Sequence, residues 1–268
     1  LIIDCGGGTT DLSSCRFRIN DNRVAYKIDI TTAYENGNTD FGGNNLTYRV
    51  MQLLKITLAR QLGGDDLPDP AGLIRSFDVD VFRNVDRDGV DAVYAALDSA
   101  YEQAEQILPT RFRDYEHSSR ADYYAVKNNF YFLFEIAERI KKAFYSHTHI
   151  LRMAVSSLPL KETVTECLLV DRWKLSYRQN GQIQTLKDIP TAYVNSYELN
   201  LLLRADIYGI VRQFIEGPYE TDELQDYSIL RLTGQSCRID IFREALKEFI
   251  PGKIIESSRR QGAGDQMH

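Results

Sequence analysis

The stretch Asp4-Cys5-Gly6-Gly7-Gly8-Thr9-Thr10-Asp11 decides the fold class of this chain. It follows the apolar run Leu1-Ile2-Ile3, which reads as a buried strand. It precedes Leu12 to Ile19, where Phe17 and Ile19 alternate with Arg16 and Arg18 as in a second strand. Three consecutive glycines between strands let backbone N–H groups converge on an anion, because no Cβ blocks close approach. Two aspartates bracket the loop and two threonine hydroxyls sit within it. Carboxylates beside an anion site suit a phosphate chain carrying Mg²⁺, whose retained waters they can hold. The plain alternative is a glycine-rich hairpin turn with surface aspartates, and this stretch alone leaves both open.

Outward from the loop, Asp21-Asn22 is a turn signal and Val24 to Ile30 alternates again, which predicts three antiparallel strands in succession. After Gly42-Gly43 the apolar period changes to that of a helix. Leu46, Val50, Leu53, Leu54 and Leu58 form one stripe, Asn44 or Asn45 caps it, and Gly63-Gly64 stops it. Asp65 to Pro70 reads as a loop and Ala92 to Leu108 as a helix ended by Pro109, within a stretch to Ala121 that reads as an insertion. Tyr123 to Tyr145 is a long helix, and Ile150 to Ser157 and Thr165 to Val170 are strands. Asn180-Gly181 marks a hairpin between Leu175–Arg178 and Ile183–Leu186. Asn195 or Ser196 opens a helix that Gly217-Pro218 ends. A strand from Ser228 to Thr233, a turn at Gly234 and a helix from about Arg238 to Phe249, stopped by Pro251-Gly252, follow. Short strands first and strand–helix units later predict a mixed α/β or α+β architecture.

Composition narrows the function classes. With 268 residues, 43% hydrophobic and 26% charged, the chain has the balance of an ordinary globular domain and enough length for one large domain or two modest ones. Its net charge of −6 argues against a strongly basic nucleic-acid binder. No run of about 18 apolar residues suggests a membrane span. Cys5, Cys15, Cys167 and Cys237 lie far apart without a C-x-x-C spacing, which suits reduced thiols in the cytoplasm. The chain opens inside a strand, so further residues are expected upstream.

Four motifs in order resemble those of the superfamily of actin, sugar kinases and seventy-kilodalton heat-shock chaperones. Gly6 to Asp11, preceded by Asp4, resembles its second phosphate loop. Thr39-Asp40-Phe41-Gly42-Gly43 is similar to the chaperone glycine pair that approaches the nucleotide, and Ala137 to Ala143 to the adenosine-binding helix. Leu232 to Ile239 is similar to the last nucleotide motif, with Gln235 in place of a second glycine.

Helix geometry can be read beside the resemblance. At about 100° per residue Leu133, Ile136, Ala137, Ile140 and Phe144 share one face, and Glu138, Lys141, Lys142 and Tyr145 cluster on another. That second face suits a nucleoside, with Glu138 accepting from ribose hydroxyls, the lysine stems packing on the base or reaching phosphate, and Tyr145 stacking. Taken alone it equally suits a solvated ion-pair face. At the last motif, a strand ending at Gly234 and opening a helix leaves free N–H groups near a ligand, while Ser236 adds a hydroxyl and Arg238 a guanidinium that can stack on adenine. An ordinary βα turn would look the same.

Other signals carry less. His147-Thr148-His149 lacks a third metal ligand of suitable spacing. Tyr123, Tyr124, Phe130, Tyr131, Phe132 and Phe134 read as packing, since no basic groove accompanies them. No G-x-S-x-G nucleophile elbow supports serine hydrolase chemistry.

The resemblance implies an α/β fold, the second lobe of an actin-like (ribonuclease H-like) ATPase domain over residues 1–256, a mixed sheet flanked by helices. Residues 65–145 hold a helical insertion subdomain and the adenosine-side helix, and 257–268 a flexible tail. It implies ATP or ADP with Mg²⁺ as cofactor, Asp4, Thr9 and Asp11 as catalytic groups, and Asp4 and Asp11 as metal-side carboxylates. Gly6, Gly7, Gly8, Gly42, Gly43, Glu138, Lys141, Lys142, Tyr145, Gly234, Gln235, Ser236 and Arg238 then contact the nucleotide. Slow hydrolysis would couple lobe closure to a client or co-chaperone protein, with neither nucleic acid nor membrane as partner, and the chain without its first lobe would bind weakly. The other readings are an actin-like filament ATPase, a non-hydrolysing nucleotide-binding adaptor, encouraged by Gln235 and Asn44, and a sugar or acetate kinase.

Overall fold

A computed structural model describes residues 1–21, 26–38, 40–78, 80–147, 149–160, 166–170, 173–222, 227–236 and 239–257, with the backbone alone for 15–21, 26–36 and 257. The chain forms two compact units. Unit 1 comprises Leu1–Asn45 and Ile210–His268, and unit 2 is Leu46–Gly209.

Unit 1 is built on a five-stranded mixed sheet. Its strands are β1 (Ile2–Cys5), β2 (Thr10–Asp21), β3 (Tyr26–Asn38), β9 (Ile229–Thr233) and β10 (Ile254–Ser257), in the order β10-β9-β1-β2-β3. The first three strands pair antiparallel, as their alternation predicts, while β9 and β10 run parallel to β1. The hairpin of β2 and β3 is longer than Leu12–Ile19 and Val24–Ile30 suggest, because polar residues extend both strands; Asn22 and Val24 lie outside the described residues. Alternation sorts β1, with Ile3 and Cys5 buried and Asp4 exposed. Helix α7 (Asp240–Phe249) returns the chain from β9 to β10 and buries Ile241, Phe242, Ala245 and Leu246 at helical spacing. The residues after Pro251-Gly252 were not read as a strand, because β10 is only four residues long and gains its hydrogen bonds from β9.

In unit 2 the long helix α5 (Arg120–Ser146) is opened by Ser119, whose side chain accepts from the Asp122 amide, and no glycine or proline interrupts its 27 residues. It buries Val126, Asn129, Leu133, Ile136, Ala137, Ile140 and Phe144. Strands β4 (Arg152–Ser156), β5 (Glu166–Leu169) and β8 (Ala192–Asn195) form a small mixed sheet, and β6 (Ser176–Gln179) with β7 (Gln182–Thr185) forms a hairpin. Asn180 and Gly181 turn that hairpin with φ of 51° and 79°, the left-handed pair that Asn-Gly accommodates. Buried Asn129 fixes it to α5, donating to the carbonyls of Pro109 (2.8 Å) and Ser176 (2.6 Å) and accepting from the Ser176 amide (2.8 Å).

The segment read as an insertion holds more helix than its sequence announces. Besides α4 (Val90–Ala104) it contains α2 (Pro70–Arg75), α3 (Val81–Asp88) and a 3-10 turn at Phe112–Tyr115. Asp69 and Pro70 begin α2, a cap followed by proline at the first helical position, rather than prolonging a loop. Helix α6 (Ser196–Glu220) likewise corrects the expected stop at Gly217-Pro218, since Pro218 lies inside its last turn. There the missing N–H costs one hydrogen bond, and the Thr221 amide closes the end on the Gly217 carbonyl at 3.1 Å. The division between units falls within α6 and within the first turn of α1 (Gly43–Gln61).

Candidate functional site

The turn joining β1 to β2 is closed by the Gly6 amide, which donates to the Thr9 carbonyl at 2.9 Å. Register places Asp4 directly opposite Asp11. Their side chains therefore leave the same face of the sheet as cross-strand neighbours, and both are exposed. Thr9 is exposed at the turn. Thr10 is buried and donates its hydroxyl to the Phe41 carbonyl at 3.0 Å.

Two other segments meet this turn. The Gly43 amide donates to the Gly6 carbonyl (2.8 Å) and the Asn44 amide to the Gly7 carbonyl (2.7 Å), so the first amides of α1 are taken by the loop. Asn45 reaches back as the third helical residue, its side-chain oxygen accepting from the Gly42 amide at 2.8 Å. A Cβ at Gly42 would stand 2.6 Å from the Gly8 carbonyl carbon and 2.7 Å from the Thr9 nitrogen, so this close approach requires glycine. At the end of β9, Gly234 has φ 82° and lies against Cys5 and Asp4, where a Cβ would come 2.7 Å from the Cys5 carbonyl carbon. Buried Ser236 donates to the Gly6 carbonyl at 3.3 Å. The Gly6 carbonyl thus accepts from both distant segments.

The solvent side of the turn is open. Gly7 and Gly8 are exposed, and a Cβ at either would meet nothing within 4 Å. Among the described residues, no acceptor takes the amide of Gly7 or of Gly8. Exposed amides beside paired carboxylates fit a hydrated divalent cation carried on a phosphate chain, since Mg²⁺ keeps most of its waters and needs only one or two carboxylates. No group of three or more His, Cys, Asp or Glu suited to a metal occurs among the described residues. Gln235 is exposed, and Thr39 and Arg238 lie outside the described residues.

In unit 2 the polar face of α5 is folded onto its own partners. Glu138 is ion-paired with Lys141 at 2.8 Å and Lys142 at 3.0 Å and accepts from the Thr47 hydroxyl, while Lys141 also donates to Thr47 at 2.7 Å. Burial alone would raise the Glu138 pKa, but hydrogen bonds from Lys141, Thr47 and Lys142 outweigh it and bring the carboxyl down to about 2. The Tyr145 hydroxyl donates to Asn200 at 3.0 Å. Glu138, Lys141 and Lys142 thus pair with one another on the face that helix geometry gives them, with Thr47 as a partner that periodicity within α5 gave no means of finding, and Tyr145 pairs separately with Asn200.

Helix α1 also carries two charge networks, one buried and one partly buried, that sequence reading missed. Lys55 is fully buried, ion-paired with Glu105, donating to the Thr110 hydroxyl at 3.0 Å and 4.0 Å from the Tyr101 ring centre. Glu105 also accepts from the amides of Thr110 and Arg111, each at 2.9 Å. Arg49 joins Asp206 (2.8 Å) to Asp98 (3.0 Å) and stacks over Tyr94. Burial lowers the Lys55 pKa against the pull of Glu105, and burial raises that of Asp206 against the pull of Arg49. The available signal was cations at positions 49 and 55 of a helix whose apolar residues already cover most of its sides.

No helix among the described residues is long and apolar enough to cross a membrane. No protein-family model matches the chain, and no curated protein matches it.

Proposed function

We propose that the glycine cluster of unit 1 is the phosphate side of an ATP–magnesium site in a chaperone-like ATPase of the actin and heat-shock superfamily. The observation that carries this reading is the meeting of Gly6–Gly8, Gly42–Gly43 and Gly234–Ser236 around the Gly6 carbonyl. Three glycine segments far apart in sequence approach at backbone distance beside two exposed carboxylates, while one side of the turn stays open. The five-stranded mixed sheet adds support, being compatible with the α/β lobe that the resemblance implies.

In phosphoryl transfer the protein's part is positioning and charge stabilisation. The amides of Gly7 and Gly8 would hold phosphate oxygens, Thr9 would orient a water, and Asp4 and Asp11 would hold metal-bound waters. Magnesium, when bound, supplies charge neutralisation of the β- and γ-oxygens.

Calorimetric titration of Mg-ATP into the protein and its Gly7→Val variant tests the reading. Wild type binds, and the variant loses about tenfold or more in affinity while its melting temperature is unchanged. Equal affinity in both would overturn it. Single-turnover phosphate release then separates an ATPase from an adaptor that holds nucleotide without cleaving it.

A further inference from the structure

A cavity of about 570 Å³ opens within unit 1 where α6 and α7 both end. Its volume lies in the range of small-ligand sites, roughly 300–1,000 Å³. It shares no lining residue with the glycine turn.

The walls are mostly negative in sign. Tyr219 and Phe249 stand edge to face with centroids 6.3 Å apart, and Tyr219 is 54% exposed, presenting an aromatic surface at the opening. Ring faces carry negative quadrupole potential and attract cations within about 6 Å. Glu220 and Asp222 contribute carboxylates. Asp222 sits in the left-handed region at φ 58°, where the chain turns off α6 with its amide on the Tyr219 carbonyl at 3.2 Å. The closing turns of two helices line the same cavity, and helix C-termini carry partial negative charge. Lys253 is the one cation among these lining residues. Rings, carboxylates and helix ends disfavour an anion and favour a positive group with an apolar stem.

We propose that this cavity binds a cationic group, an alkylguanidinium or alkylammonium, with its stem against the Tyr219 and Phe249 rings and its charge toward Glu220 and Asp222. Such a group is carried either by a free small molecule or by an Arg or Lys side chain of a peptide.

The test is calorimetric titration of the full chain with butylguanidinium, with its neutral isostere butylurea, and with the blocked tripeptide acetyl-Gly-Arg-Gly-amide. Butylguanidinium binds, and butylurea binds about tenfold or more weakly. Glu220→Gln, a surface change whose folding is checked by circular dichroism, weakens the cation about fivefold or more, and Phe249→Leu weakens it about threefold. Lys253→Gln removes a resident charge and tightens binding. Whichever of butylguanidinium and the tripeptide binds more tightly identifies the source of the cation. Equal binding of butylurea, an unchanged Kd in Glu220→Gln, or no binding of either cation at about 10 mM would overturn the proposal.

Discussion

Asp4 on β1 and Asp11 on β2 stand directly across an antiparallel pair, two exposed carboxylates on one sheet face beside a turn whose Gly7 and Gly8 amides donate to no acceptor among the described residues. Like charges so placed repel. Asp11→Asn is therefore expected to raise stability slightly in chelator-treated buffer. On the proposed reading, Mg-ATP is expected to raise the melting temperature of wild type and to raise that of the variant less. Thermal melts of both proteins with and without Mg-ATP read the two effects.

The glycines differ in what an added side chain would meet. A side chain at Gly7 meets open space, so Gly7→Val is expected to change stability by no more than about 0.5 kcal/mol. Gly42→Ala places its Cβ against the backbone of Gly8 and Thr9, and Gly234→Ala adds a positive φ to a contact with Cys5. Each should cost about 1–3 kcal/mol, measured as a lower urea midpoint.

Glu138 sets an acid dependence. Its folded pKa of about 2 lies below the ordinary value of 4.5, so the native state holds its proton less tightly than the unfolded chain. The stability it contributes is complete above pH 4.5 and is lost as pH falls toward about 2. Glu138→Gln is expected to flatten the fall in urea midpoint across that window relative to wild type. Equal slopes would show that the ion pairs with Lys141 and Lys142 do not form in solution.

Lys55 and Glu105 form a pair whose halves are costly to separate. Lys55→Met leaves a largely buried carboxylate without its cation and should cost about 3–5 kcal/mol. Glu105→Gln keeps an acceptor for the amides of Thr110 and Arg111 but leaves the fully buried Lys55 ammonium without its counter-charge, so it should cost a comparable amount. Lys55→Met introduced into Glu105→Gln should cost less than in wild type, and a double-mutant cycle from denaturant melts measures that coupling.

Periodicity carried most of the architecture into view. The alternation after Gly8 reads as strands, the stripe from Leu46 to Leu58 as a helix, and Asn180-Gly181 as a hairpin; all three are present. The misses share a cause. α2 and α3 are too short for a repeated apolar stripe, β8 and β10 are four-residue strands stabilised by their neighbours, and Pro218 reads as a stop although one lost hydrogen bond is tolerated in a final turn. For the candidate site, residue types were legible and partners were not. Glu138, Lys141 and Lys142 fall on one face by counting along α5, yet Thr47 comes from 91 residues away.

By itself the sequence determined which segments are strand or helix, where glycine frees the backbone, and which carboxylates bracket the first turn, since these depend on residues a few positions apart. Only the tertiary structure decided that Gly43 and Ser236 both donate to the Gly6 carbonyl and that Lys55 is buried against Glu105. Such meetings depend on strand order and register in the first case and on helix packing in the second, which long-range pairing and shared burial select and no local pattern encodes.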